Sequence, residues 1–382
     1  MPRNLVVLGS TGSIGRQTLD VARTLQDRIR VFGLAAHSNA ELLKRQIEQI
    51  GPALGCLVSY RLGVPGTEML TGEQGLIDLA THPDVDLVVV GTTGRAGLAP
   101  TLAALRAGKL VALANKETLV IAGAVIREAL SESSGRLVPI DSEHSAIWQC
   151  LQGEPRAAVE KLTLTASGGA LRDLAIEELR YVTPKQALHH PTWSMGPKIT
   201  VDCANLMNKG LEVMEAQWLF DIPIEQVDVV LHPQSIVHSL VTFVDGSTKA
   251  QLGLPDMRLP IQYALSHPDR WRNKLPRVDL ASFGALTFGT VDFDRYPALR
   301  IALEAARRGG TYPAVLSAAD EVAVAAFLDG RIAFTDIPSL VERTLERHES
   351  CSNPRLDDIL LADSWARDVC SRLVASDHVM AR

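Results

Sequence analysis

Leu5-Val6-Val7-Leu8-Gly9-Ser10-Thr11-Gly12-Ser13-Ile14-Gly15 is the stretch that decides the fold. Four consecutive apolar residues read as a strand buried on both faces, and the glycine-rich run after them reads as a turn into a helix. Glycines at 9, 12 and 15 let the backbone approach a pyrophosphate, while the helix N-terminus supplies unpaired N–H groups. The spacing is G-x-x-G-x-x-G rather than G-x-G-x-x-G, and a glycine turn used only for packing has the same pattern. Similar apolar runs follow at Val31 to Ala36, Leu87 to Val90, Leu110 to Leu113 and Leu137 to Ile140, separated by helix-length segments. Strands alternating with helices specify an α/β domain with a parallel, Rossmann-like sheet covered on both faces. Each run ends in a polar or glycine-rich cluster: Gly9 to Gly12, His37 to Asn39, Gly91 to Gly94, Asn115 to Glu117 and Asp141 to Glu143. Strand ends of open parallel sheets line one ligand crevice, so these clusters are expected to converge.

Working outward, 382 residues exceed one ordinary core of ~100–200 residues, so several domains are expected. Residues 1–145 read as the Rossmann-like domain. Residues 146–290 read as an α+β catalytic and dimerisation domain, with strand candidates at 162–165, 227–231 and 237–244 and a hairpin turn at Asp245-Gly246. Its stretch from about 187 to 197 holds two prolines and a glycine without periodicity, and reads as a lid loop. Residues 291–382 read as a linker and a small, alanine-rich C-terminal helical bundle. Hydrophobic residues at 46% against 21% charged are enough to offset chain entropy, which argues for a folded chain. Thirty-eight basic against 44 acidic side chains leave a net charge of −6, which speaks against nucleic acid as a partner. No apolar run approaches the ~18 residues of a membrane span, and the start lacks a signal-peptide layout, so a soluble cytoplasmic protein is expected. Five scattered cysteines without C-x-x-C spacing suggest reduced thiols.

Several clusters carry chemistry. After the second strand, Ala35-Ala36-His37-Ser38-Asn39 lacks the carboxylate that binds a ribose 2′-hydroxyl. That absence favours NADP, with Ser38 and Asn39 as donors and His37 as a cationic or stacking contact, or else as a solvated loop residue. Asp141-Ser142-Glu143 offers two carboxylates that an extended backbone aims the same way, hard donors suited to Mg²⁺ or Mn²⁺. On these residues alone a helix cap near Ser145 serves equally well. Glu212, in Asn208-Lys209-Gly210-Leu211-Glu212, is the best third carboxylate. Ser167-Gly168-Gly169 reads as an anion nest or a simple turn. Lys116 reads as a polarising cation or a solvated partner of Glu117. His190, Trp193 and Met195 on the proline-rich loop suit a lid that excludes water.

Taken together, Gly-Ser-Thr-Gly-Ser-Ile-Gly at 9–15, Ala-Asn-Lys-Glu at 114–117, Asp-Ser-Glu-His at 141–144, Ser-Gly-Gly at 167–169, His-Pro-x-Trp-Ser-Met-Gly at 190–196 and Met-Asn-Lys-Gly-Leu-Glu at 207–212 resemble the 1-deoxy-D-xylulose-5-phosphate reductoisomerase family of isoprenoid biosynthesis. The resemblance extends through His232 to Ser235 and Leu254 to Arg258. It implies a homodimeric, NADPH- and metal-dependent isomeroreductase that converts 1-deoxy-D-xylulose 5-phosphate to 2-C-methyl-D-erythritol 4-phosphate by skeletal rearrangement and hydride transfer. Asp141, Glu143 and Glu212 would hold Mg²⁺ or Mn²⁺, with Lys116 and His190 also catalytic. Lys116, Ser142, Glu143 and Glu212 would meet the oxygens of the phosphorylated sugar. Ser167, Cys203, Asn208 and Lys209 would bind its phosphate, and His190 and Trp193 would close over it. Thr11, Gly12, Ser13, Ile14, Asn115, Glu117 and Gly196 would line the cofactor.

Two positions depart from the family pattern. Cys203 stands where members generally carry serine, and a thiol is a weak donor. His37-Ser38 replaces a Gly-Lys or Gly-Arg turn. Two other readings of the residues are a metal-independent semialdehyde-type dehydrogenase with Cys203 as nucleophile, and a nucleotide-sensing regulator on the same fold.

Overall fold

The computed structural model describes residues 2–380. The described residues divide into two compact units: residues 2–118, 124–148 and 256–276 form the first, and residues 119–123, 149–255 and 277–380 the second.

In the first unit the apolar runs become β1 (Arg3–Leu8), β2 (Ile29–Ala36), β3 (Leu54–Leu57), β4 (Glu68–Thr71), β5 (Leu87–Val90), β6 (Leu110–Leu113) and β7 (Arg136–Pro139). All neighbours pair in parallel in the order β4-β3-β2-β1-β5-β6-β7. The order reverses between β1 and β5, which is where such sheets open a crevice at their carboxyl ends. Leu5 to Leu8 are fully buried, as a strand covered on both faces requires. Helix Arg258–Ser266 packs on this sheet, with Ile261, Ala264 and Leu265 inside its core and Tyr263 edge-on to Trp148 at 4.7 Å.

The second unit is built on β8 (Val159–Ala166), β9 (Val227–Leu231), β10 (Val237–Phe243) and β11 (Thr248–Leu252), in the order β11-β10-β8-β9. β8 and β9 run parallel, while β10 pairs antiparallel with both β8 and β11. Helix Met207–Phe220 crosses helix Pro297–Arg308 so closely that a Cβ on Gly210 would lie 2.3 Å from that of Ala302. The C-terminal helices Tyr312–Leu328, Asp336–Glu346 and Leu356–Met380 group with this sheet.

Two sequence expectations differ from this layout. The division at 146–290 and 291–382 meets a structure in which residues 256–276 return to the first unit and the C-terminal helices cluster with the second sheet. Helical periodicity marks which face of a helix is apolar, but not which sheet it covers. Helix Ser142–Cys150 begins three residues before the expected Ser145, so Asp141 and Glu143 stand at a strand-to-helix junction rather than on extended backbone.

The glycine turn shows why no larger residue serves there. A Cβ on Gly15 would lie 2.2 Å from the Gly9 carbonyl oxygen, and Gly9 itself has φ +84° against the backbone of Gly91. Gly15→Ala is therefore expected to cost about 2 kcal/mol or more through overpacking against backbone that has no room to yield, read as a lower urea midpoint.

Candidate active site

The turn after β1 is held from below. The N–H groups of Gly9 and Ser10 both donate to the Ala35 carbonyl, at 2.9 and 2.8 Å. Ser10 Oγ donates to Gln46 Oε1, and Gln46 Nε2 returns a bond to the Ser10 carbonyl. Gly12 caps helix Ser13–Thr24 with no side-chain acceptor, which leaves the first N–H groups of that helix to an anion. At the end of β2, His37, Ser38 and Asn39 are exposed. Asn39 Oδ1 caps helix Ala40–Ile50 through the Leu42 N–H, so its amide NH₂ is the part left as a donor.

Asn115 follows β6 and is almost fully buried. Its Oδ1 accepts from the N–H and the hydroxyl of Thr118, and its Nδ2 donates to the carbonyls of Thr92 and Gly94. Those four bonds exhaust a side-chain amide, so any cofactor contact from Asn115 runs through its backbone. Lys116 is 5% exposed and lies 2.6 Å from Asp141 Oδ2 rather than beside Glu117. A cation in the first turn of a helix opposes the helix dipole, and this carboxylate offsets that cost. Carboxylate oxygens of Asp141 and Glu143 come within 4.8 Å of each other, and Ser142 Oγ donates to Glu143 Oε2. His144, fully buried, brings a ring nitrogen equally close to Asp141.

In the second unit, Gly169 packs directly on helix Pro197–Asn205, where a Cβ would lie 2.6 Å from the Cys203 carbonyl oxygen. Ser167 Oγ accepts from the Gly169 N–H at 3.2 Å and lies 3.0 Å from His190 Nε2. His190 Nδ1 accepts from the N–H groups of Thr192 and Trp193, which fixes the proton on Nε2 and makes that nitrogen the donor to Ser167. With both lone pairs of Oγ engaged, the Ser167 hydroxyl proton is directed to a further acceptor. Burial, and then the nearby Arg172 guanidinium, push His190 down to about 4. Arg172 holds the Ser167 and Pro233 carbonyls, and nothing in the sequence marked it. Trp193 faces the buried His238 ring at 6.3 Å. Burial lowers His238 to about 4, while hydrogen bonding to Gly253 acts the other way.

Helix Met207–Phe220 follows Leu206, whose left-handed backbone separates it from helix Pro197–Asn205. It buries Asn208, Lys209, Glu212 and Glu215 together. Asn208 Nδ2 donates to Glu212 Oε1 at 2.5 Å, and the Lys209 ammonium pairs with Glu212 Oε2. Buried charges cost so much that such a cluster points to function.

A parallel sheet with a glycine turn at its switch point, together with acids matched to buried lysines, is the frame on which dinucleotide-dependent oxidoreductases are built. Family models described as 1-deoxy-D-xylulose 5-phosphate reductoisomerase match residues 5–123, its C-terminal domain 137–220, and the DXP reductoisomerase C-terminal domain 252–369. The 1-deoxy-D-xylulose 5-phosphate reductoisomerases of Heliobacterium modesticaldum and Thermomicrobium roseum are each 52% identical, over 96% of this chain and 96% and 97% of theirs. The solved Zymomonas mobilis enzyme in complex with NADPH is 39% identical with a TM-score of 0.90, covering 98% of this chain and 99% of that one. A DOX-P reductoisomerase with NADPH, fosmidomycin and magnesium is 38% identical with a TM-score of 0.91, covering 98% of each chain. The chain belongs to the 1-deoxy-D-xylulose 5-phosphate reductoisomerase family, and is an NADP-dependent oxidoreductase.

The His190 arrangement sets a pH dependence. The folded state favours the neutral ring, so its contribution to loop order is complete above about pH 6.5 and is lost as pH falls toward 4. A ¹⁵N-edited NMR titration is expected to find His190 neutral and protonated at Nε2 at pH 5.5.

Proposed function

We propose the following division of labour among the side chains of this chain. The reaction is that of the family: 1-deoxy-D-xylulose 5-phosphate is converted to 2-C-methyl-D-erythritol 4-phosphate with NADPH and a divalent metal. Asp141, Glu143 and Glu212 hold the ion. The donor set fits, since Asp141 and Glu143 present hard oxygens close together, Glu212 is buried, and no thiol takes part. When bound, Mg²⁺ or Mn²⁺ stabilises negative charge developing on the substrate oxygens.

Lys116, ion-paired to Asp141, orients a substrate hydroxyl or carbonyl, and Ser142 and Glu143 contact neighbouring oxygens. Ser167 donates its hydroxyl proton to the phosphate, joined by Cys203, Asn208 and Lys209. His190 is neutral, so it serves as a hydrogen-bond donor that fastens the loop to Ser167 rather than as a base. Trp193 covers the substrate and excludes water. The pyrophosphate of NADPH lies on Thr11, Gly12, Ser13 and Ile14, with Glu117 and Gly196 nearer the nicotinamide. The 2′-phosphate is met by Ser38 and the Asn39 amide.

The observation that carries this reading is the pairing of acids with buried lysines, the partly buried Asp141 with Lys116 and the buried Glu212 with Lys209, at motifs shared with the family. A homodimer is supported by the outer edge of β11, whose Thr248, Lys249 and Ala250 are exposed and which has no further strand beyond it in the four-stranded sheet. Among the described residues no helix is long and apolar enough to cross a membrane.

NADPH oxidation with the substrate is expected to stop on adding a chelator and to resume with Mn²⁺. Turnover that is indifferent to chelation but blocked by thiol alkylation would favour the Cys203 dehydrogenase instead. Asp141→Asn and Glu212→Gln are expected to lower kcat/KM by roughly 10²-fold or more while NADPH binding survives. Cys203→Ser is expected to lower KM for the phosphorylated substrate, because a hydroxyl donates better than a thiol. An unchanged KM would remove Cys203 from the phosphate site.

A further inference from the structure

Lys198 breaks two local rules. It occupies the first turn of helix Pro197–Asn205, where the dipole disfavours a cation, and its i,i+4 acid Asp202 lies on the weaker, C-terminal side. The helix alone gives no reason for a lysine there. Its ammonium lies 2.6 Å from Asp202 Oδ2 and also 2.7 Å from Asp320 Oδ2. Asp320 is wholly buried in Tyr312–Leu328, a helix otherwise lined inside by residues such as Leu316, Ala319, Ala323 and Val324. A carboxylate in such surroundings persists only when paired, and Lys198 is the cation the structure sets against it.

The helix that carries Lys198 begins where the loop of residues 188–196 ends. The two ends of the loop are therefore held unequally. Near its start, His190 makes a neutral hydrogen bond to Ser167. At its finish, a buried ion pair fastens the chain to the C-terminal helices.

We propose that Lys198 and Asp320 form the fixed tether of the lid, so that loop 188–196 pivots about Pro197 and releases at His190. This rests on the reading of the loop as a lid over the substrate. Lys198 is then a positioning residue, setting where Trp193 and His190 arrive without touching substrate.

Asp320→Asn cuts the tether but leaves Lys198 and Asp202 charge-balanced. The variant is expected to raise KM for 1-deoxy-D-xylulose 5-phosphate about tenfold with kcat changed less than about threefold, since it misplaces the loop rather than the reacting groups. Hydrogen exchange of the peptide covering 188–196 is expected to speed up, and its protection by substrate to shrink. Val324→Ala, a cavity on the same helix, is expected to lower Tm without moving KM or loop exchange. Should Asp320→Asn not fold, Lys198→Met combined with Asp202→Asn and Asp320→Asn removes the three charges together and is expected to give the same KM rise. A wild-type loop that substrate protects, with KM and exchange unaltered in either folded variant, would overturn the tether alone. A wild-type loop whose exchange ignores substrate would overturn the lid reading and the tether with it.

Discussion

Lys116, buried, and Asp141, partly buried and 2.6 Å away, state the constraint on which the rest of the molecule depends: a charge withdrawn from water needs an opposite charge within reach. The two residues follow β6 and β7, which are neighbours in the sheet, so their meeting is a product of strand order. Without β7 beside β6, the buried Lys116 would lose this partner. The same solution recurs in the second unit, where Lys209 meets Glu212 one turn along a helix and Lys198 meets Asp320 across two helices. A lone cluster of acids would repel itself during folding. Matched to lysines, the acids fold into place with their charge offset.

Much of this was written in the sequence, and the exceptions have physical reasons. The β-branched runs at 5–8, 87–90 and 110–113 announced their strands because burial on both faces leaves no polar position to confuse the period. Leu54–Leu57 and Glu68–Thr71 passed unnoticed: each is short, and Leu-Gly-Cys-Leu and Glu-Met-Leu-Thr hold few β-formers. Their strand character comes from pairing with β2 and with each other. The acid motifs were legible as residue types. That Lys116 would choose Asp141 over its neighbour Glu117 was not, because the choice is tertiary. Arg172 and Lys198 carried no signal at all, since a single cation outside any motif looks like any solvated side chain.

Rigid and yielding parts are sorted by the kind of bond that holds them. Asn115 spends two hydrogen bonds fastening the segment after β5 to the one after β6 and two more capping the helix it precedes, and Gly210 lets two helices approach closely. The loop at 188–196, by contrast, has its first half organised around one neutral imidazole.

The glycine turn after β1 has a consequence for how cofactor choice is able to evolve. Gly9 and Gly15 are walled in by main chain, so almost no substitution is open to them. If this turn holds the pyrophosphate as proposed, recognition of the part common to all pyridine dinucleotides is thereby frozen. His37, Ser38 and Asn39 stand in solvent, where side chains exchange at little cost to folding. The fold thus separates a constrained turn from an adjustable one, and on the proposed cofactor reading redesign toward NADH is a problem of three exposed positions rather than of the sheet beneath them.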